Sequence, residues 1–382
     1  MRMFAFVVAL ALCGCTSGSP SPDTAAVPAS DVVLDRVASD AATFRVVRLM
    51  EDLEHPWAVA WLPDGRMLVT ERPGRLLLVD GERVEEVAGL PDISPKNQGG
   101  LLDVALHPAY DETGWIYLTY SGSDDDGYGT VLFRARLDGT ALTSPEELYR
   151  QQPFVSGGRH FGSRILFPGD GTLLFTIGDR GKRSPAQDRS NSIGTVIRLT
   201  LDGEVPPDNP FVDVDGVRPE IYSYGHRNIQ GMILHPETGD IWAHEHGPRG
   251  GDELNWIRPG VNYGWPEITY GREYATNRNI GGFEAEGMEQ PVTYWDPSIA
   301  PSGLAVYTGD RFPGWSGNLF VGALAHQKIQ RVVLEGRTVA RQETLLENEL
   351  GRIRDVRTGP DDFLYVLTDA SDGALYRLEP VE

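Results

Sequence analysis

Cysteine is nearly absent from this sequence: 382 residues contain two, Cys13 and Cys15. Both fall in the first fifteen positions, so no disulfide framework can organise the chain. Basic stretches are missing as well. With 34 Lys and Arg against 55 Asp and Glu the formal charge is -21. Phosphate contacts need clustered cations, so nucleic acid and anionic membrane surfaces are excluded as partners, and small neutral ligands or cations fit better. No apolar run is long enough for a transmembrane helix. No amphipathic pattern sustains three helical turns. A strand-linked GxGxxG, a P-loop and a GxSxG elbow are all lacking, which removes the familiar nucleotide-cofactor and serine-hydrolase sites.

What is present is a 40% hydrophobic composition, enough for a substantial core in one large domain or two ordinary ones. The opening MRMFAFVVALALCGC has an arginine, a short apolar run and small residues before cysteine, which is the pattern of an export signal. Leu12-Cys13-Gly14-Cys15 resembles a bacterial lipoprotein processing box. It predicts a signal over 1–15, a lipid anchor to membrane at Cys15 and a periplasm-facing outer-membrane location, with an ordinary signal peptide as the alternative. Residues 16–43, rich in Ser, Ala, Pro and Asp, read as a flexible tether, with the folded domain over 44–382.

From residue 44 one plan recurs six times: an apolar run, a Pro/Gly/Asp turn, a second apolar run, a loop. The six are WAVAWLPDGRMLVTE, LLDVALHPAYDETGWIYLTY, RILFPGDGTLLFTIGD, GMILHPETGDIWAHEH, LAVYTGDRFPGWSGNLFVGAL and IRDVRTGPDDFLYVLTD. Alternation about such turns indicates antiparallel hairpins. Six of them, spaced by about 45 to 75 residues, predict an all-β, six-bladed β-propeller of four-stranded antiparallel blades. A β-sandwich or solenoid is the alternative, poorly matched to such long, unequal loops.

In an antiparallel hairpin, the residue before the first strand and the residue after the second lie side by side. In a propeller those ends share one rim. This rule sets His160 beside Asp179, brings Arg227 and Asn228 near His246-Gly247-Pro248, and adds Gln98, Ser298, Arg352 and Arg354 to the same mouth. A histidine oriented by a carboxylate is a general base. The plainer reading is that the two only satisfy each other. Arginines facing the same cavity in an acidic protein suggest a bound anion, although any one of them reads equally as a surface ion pair. His244-x-His246 suggests zinc, but no third nitrogen or sulfur ligand is at hand. GPRGGDELN, with glycine-turn carbonyls and the carboxylates of Asp252 and Glu253, suits calcium better. A redox reaction here would need an unfamiliar anionic cofactor.

GRHFGSR, TIGDRG, GHRNIQG, HEHGPRGGDELN, NYGWP and DPSIAPSG together resemble the soluble, calcium- and pyrroloquinoline quinone (PQQ)-dependent aldose sugar dehydrogenases, in matching order over residues ~45–380. The resemblance implies a six-bladed propeller oxidising aldoses at the anomeric carbon to lactones, with an external electron acceptor. It implies that His160 takes the hydroxyl proton while hydride passes to the quinone, that Asp179 orients it, and that Arg227 polarises the accepting carbonyl. Asn228, Gln98, Ser298, Arg352, Arg354 and Tyr274 would hold the quinone. Carbonyls of Gly247 and Pro248 would bind one calcium, and Glu253 with the carbonyl of Tyr263 a second. Where that family has a lysine after the strand matching LFVGAL, this chain has Ala325, with His326 and Lys328 as possible stand-ins. Two competing functions keep the fold: a non-catalytic propeller binding a glycan or protein, and a calcium-dependent lactonase.

Overall fold

The computed structural model describes residues 31–381. The signal, Cys15 and residues 16–30 of the expected tether lie outside the described residues. Twenty-five strands form six antiparallel sheets, five of four strands and one of five. The inner strands are Pro56–Trp61, Leu101–Leu106, Ile165–Leu166, Ile229–Leu234, Pro301–Val306 and Ile353–Thr358. Each touches the next and the last touches the first, which closes a six-bladed propeller as the repeat predicts. All six hairpins occur.

Each second strand lies between neighbouring blades and is covered on both faces. Thr172–Ile177, Ile241–Glu245, Leu319–Ala323 and Leu364–Thr368 are buried at every position, and this is why LLFTI and LYVLT read as continuous apolar runs. Outermost strands such as Thr338–Leu345 have one wet face and regain alternation.

The ring closes between its two chain ends. Thr43–Leu53 pairs with Gly373–Pro380, completing blade 6, and Val32–Ala38 adds a fifth strand outside it. The folded domain therefore begins at least twelve residues before the predicted boundary at 44, and the tether does not extend to 43. Val32–Ala38 was hard to see because it is an edge strand, largely exposed and out of strict alternation through two bulges.

Adjacent blades are joined by side-chain hydrogen bonds at one recurring place. Thr70 Oγ1 donates to the Leu102 carbonyl, Thr119 Oγ1 to that of Ser163, and Thr176 Oγ1 to that of Ile229. At the corresponding point of blade 4, His244 Nε2 reaches the Gly303 carbonyl at 3.2 Å. Gly231 leaves space for that ring, since a Cβ there would sit 2.4 Å from Nε2. His244 is thus a seam residue and its Nε2 is not free for zinc.

On the central axis, Arg164 is buried against Trp57, its Cζ 4.4 Å from the ring centroid. It spans Asp103 of blade 2 at 3.0 Å and Asp355 of blade 6 at 3.3 Å, and both carboxylates also pair with Arg357. Replacing Arg164 with Met removes the cation most deeply placed between two buried carboxylates. Arg164→Met is expected to lower unfolding free energy by about 3–5 kcal/mol, read from the urea midpoint; a loss below about 1 kcal/mol would show that the axis tolerates the gap.

Candidate active site

The starts of inner strands and the ends of second strands meet around a cavity of ≈ 580 Å³ at one end of the axis. Gln98, Asn228, Arg352 and Arg354 line it, as the hairpin rule requires, and Phe161 and Gly162 bring the His160 segment to its wall. His160 Nδ1 is 2.5 Å from Asp179 Oδ1. The ionised carboxylate can only accept, so the ring holds its proton on Nδ1 and keeps Nε2 as a lone pair.

Asp179 is fully buried and has other donors. The Gly181 amide reaches Oδ1 at 2.7 Å and the Trp265 indole N–H reaches Oδ2 at 2.8 Å. Burial pushes this carboxyl up, but the bond from His160 and the charges of His160 and Arg227 outweigh it and keep Asp179 below its ordinary value. Burial pushes the His160 imidazole below its ordinary 6.5; Asp179 opposes the shift and the Arg227 charge reinforces it. The imidazole is therefore neutral at pH 7 and able to take a proton.

The backbone is forced to present it. His160 has φ 54°, and Ser163 (93°) and Arg180 (55°) share the left-handed region, a strain on the order of 1–3 kcal/mol each that persists only where surroundings over-determine it. The Gln98 side chain accepts from the His160 amide at 2.8 Å. The buried Arg180 donates to the carbonyls of Arg159 and Gly157 and lies on Phe161, 3.4 Å from its centroid. Asn228 Oδ1 accepts from the Gly162 amide.

Arg227 donates to the His246 carbonyl at 3.0 Å and sits 5.4 Å over Trp265. Its Nε, with those of Arg72 and Arg354 and with His246 Nε2, is buried without a hydrogen-bond partner. Arg72 and Arg354 line the mouth, and their orphaned guanidinium donors suit an anionic, acceptor-rich ligand there. His55, Arg72 and Asp369 also line the mouth, and sequence reading missed them. They are the residues before and after the first hairpin and after the last, so the same rule would have found them.

Two predicted contacts are displaced. Ser298 is not among the residues lining the cavity: its hydroxyl is spent on Asp252, 2.8 Å from Oδ2, and Ala300 takes the place at the wall. Tyr274 is 62% exposed on the long loop of blade 4 and lies outside the lining. Neither Ala325 nor its proposed stand-ins line the cavity either. Lys328 points along its sheet, with Nζ 3.4 Å from Thr344 on the outermost strand.

Behind Arg227 lies a cavity of ≈ 10 Å³, room for one ion or water, bordered by Gly247, Gly251, Glu245 and Glu253. Asp252 is not available to a metal there. Gly247 N, Ser298 Oγ, Ile299 N and Ala300 N all donate to it, fastening the GPRGG turn to blade 5, while burial lifts its carboxyl to about 6. Glu253 differs. It is cross-strand partner to Glu245 and has one weak donor, Asn255 at 3.2 Å. Burial, then the Glu245 charge, raise it well above 4.5. Tyr263 is buried next to this cluster, its ring stacked on His226, which bonds Glu245. A Cβ at Gly247 would meet the carbonyl oxygens of Gly251 and Gly250 at 2.2 and 2.3 Å. Buried like-charged carboxylates beside crowded carbonyls are a donor set that fits a hard cation.

The mouth combines a neutral, carboxylate-bound histidine at its wall with a cluster of guanidinium groups. Comparison with known proteins gives the class. A family model described as Glucose / Sorbosone dehydrogenase matches residues 53–377. The aldose sugar dehydrogenase YliI of Escherichia coli (strain K12) is 44% identical over 347 residues, 89% of this chain and 94% of that one. The crystal structure of the soluble aldose sugar dehydrogenase from Escherichia coli, in its apo form, superposes with TM-score 0.86 at 44% identity, covering 88% of this chain and 100% of that one. The PQQ-bound form of the aldose sugar dehydrogenase from Streptomyces coelicolor gives 0.72 at 30% identity, over 89% and 100%. The chain belongs to the Glucose / Sorbosone dehydrogenase family and is an oxidoreductase of the sugar dehydrogenase class.

Turnover should need neutral His160, so the acid limb of the pH–rate profile is expected below pH 6.5. Trp265→Phe removes a donor from Asp179, makes that carboxylate a stronger acceptor and should move the limb to higher pH. A limb that stays put or moves down would show that the indole N–H does not tune the pair.

Proposed function

We propose that this protein oxidises aldoses at the anomeric carbon to lactones, using PQQ and calcium and passing electrons to an external acceptor. The observation that carries the reading is the His160–Asp179 pair, 2.5 Å apart, within reach of the Arg227 charge and next to Phe161 and Gly162 in the wall of a cavity that Arg352 and Arg354 also line. A glycan-binding propeller needs no oriented neutral base, and a lactonase needs side-chain oxygens gathered on the axis for calcium, whereas the axial carboxylates of Asp103 and Asp355 are taken up here by Arg164 and Arg357.

When bound, the quinone supplies the two-electron acceptor that the side chains lack. The rest is the work of this chain. Arg352 and Arg354 would hold carboxylates, with Gln98 and Asn228 shaping the walls. Arg227, fixed by the His246 carbonyl, brings its charge close enough to help hold the His160 imidazole neutral. His160 takes the anomeric hydroxyl proton at Nε2, and Asp179 stabilises the resulting imidazolium without itself being protonated. Calcium would be held by carbonyls of Gly247 and Pro248, and a second ion by Glu253 and the carbonyl of Tyr263. The same reading places the enzyme at the cell envelope, facing the periplasm and tethered through lipid on Cys15; labelling by a radioactive fatty acid, lost in Cys15→Ser, would establish the anchor.

Reconstitution of purified protein with calcium and PQQ, followed by dye reduction with aldoses, tests the whole reading; binding without reduction would favour a non-catalytic propeller. His160→Ala is expected to lower kcat by ~10²–10⁴ with PQQ affinity unchanged, and loss of PQQ affinity instead would remove His160 from the role of base. Calcium leaves a second trace, in stability. Since the folded state raises the Glu253 pKa, its contribution is present below pH 4.5 and lost as pH rises through the raised value. A bound cation replaces the proton. Chelation should therefore lower Tm more at pH 7 than at pH 5, and equal Tm values with and without chelator at both would rule out the ion.

A further inference from the structure

Arg72 follows the second strand of blade 1 and enters the mouth beside Arg352 and Arg354. Its backbone is held on both sides: its amide donates to the His55 carbonyl at 3.1 Å and its carbonyl accepts from Leu101 at 3.0 Å. Gly100 is moulded to it. A Cβ at Gly100 would fall 1.7 Å from the Arg72 carbonyl oxygen and 2.9 Å from its Cγ, so only glycine lets the arginine stem cross this point to the cavity.

The guanidinium is poorly matched. Nη1 donates to the neutral Asn97 carbonyl at 2.6 Å, Nε is buried without a partner, and among the described residues no carboxylate forms an ion pair with it. The one carboxylate in this part of the mouth, Asp369, already serves Arg354 at 2.7 Å, Arg352 at 3.4 Å and His55 at 3.0 Å. Three guanidiniums around one carboxylate leave an excess of positive charge in a strongly acidic protein. Burial and the neighbouring Arg354 and Arg352 charges lower the Arg72 pKa against the pull of Asp369, the signature of cations arranged for a ligand the chain does not itself supply.

We infer that Arg72 is the third guanidinium of a polycarboxylate site at the mouth, beside Arg352 and Arg354. Under the function proposed above, on which this identification of the ligand rests, the polycarboxylate is PQQ. Lys328 is not part of this site, because its ammonium faces Thr344.

The test is equilibrium titration of the purified protein, followed by tryptophan fluorescence since Trp57 lines the cavity. Two probes are used: PQQ, and trimesate, a planar tricarboxylate without redox chemistry. Arg72→Gln should weaken both by about 10- to 100-fold, the loss of one charge-assisted contact, and flatten the dependence of affinity on salt. Arg72→Lys should recover part of the affinity, which separates loss of charge from misfolding, and Lys328→Gln should bind as the wild type does. Unchanged affinity of Arg72→Gln for both probes, or loss of affinity in Lys328→Gln, overturns the assignment. If wild type binds PQQ and Arg72→Gln binds it equally well, the quinone reading stands and this one falls. If wild type binds trimesate in an Arg72-dependent way but not PQQ, the anion site stands and the quinone reading falls.

Discussion

A ring of sheets has no single core, so its rigidity depends on what holds the blades at the axis. Here that is Arg164, a cation removed from water between Asp103 and Asp355 and covered by Trp57. Replacing such a cluster by apolar residues can cost little, but losing one member strands the others. Its location matters more than its net energy. Arg164 stands four residues after His160, and its Nε donates to the Gln230 carbonyl two residues after Asn228. The axis and the mouth are therefore parts of one connected framework, and the strained His160 backbone is anchored to the least movable point of the molecule.

Charge is distributed unevenly over this framework. The chain as a whole carries -21, yet Arg72, Arg352 and Arg354 crowd one cavity, and the Nε atoms of Arg72 and Arg354 have no partner there. An acidic exterior keeps the protein soluble and repels polyanions at large. Deep in the mouth, where water is displaced, the local excess of cations dominates because fields are screened less there. This arrangement suits a compact anion better than a polyanion such as nucleic acid.

Much of this was legible from the chain because hairpin ends obey geometry that does not depend on loop length. The six blades, the His160–Asp179 pair and the approach of Arg227 to His246 followed from counting strands. The same geometry, carried to the first and last hairpins, yields His55, Arg72 and Asp369. Contacts made by loops were not legible. Tyr274 belongs to a long insertion whose path is set by packing such as the Tyr270–Tyr294 stack, 4.0 Å between centroids, and Ser298 was drawn away by a buried carboxylate, Asp252, whose demand for donors no pattern announces. His244 misled for another reason: it occupies a seam position where three other blades use threonine, and two histidines at i and i+2 look alike whether they face a metal or a carbonyl.

The closing strand has a consequence for how the molecule is made. Thr43–Leu53 cannot find Gly373–Pro380 until all six blades have been made, so this contact of large sequence separation forms late. The seam it closes lies between blades 6 and 1, where Arg352, Arg354 and Asp369 meet His55 and Arg72. A partly folded chain can thus form the His160–Asp179 pair but not the cation cluster. Any anion held at the mouth binds only the completed ring and draws the folding equilibrium toward it, so occupancy of the site reports that the ring has closed.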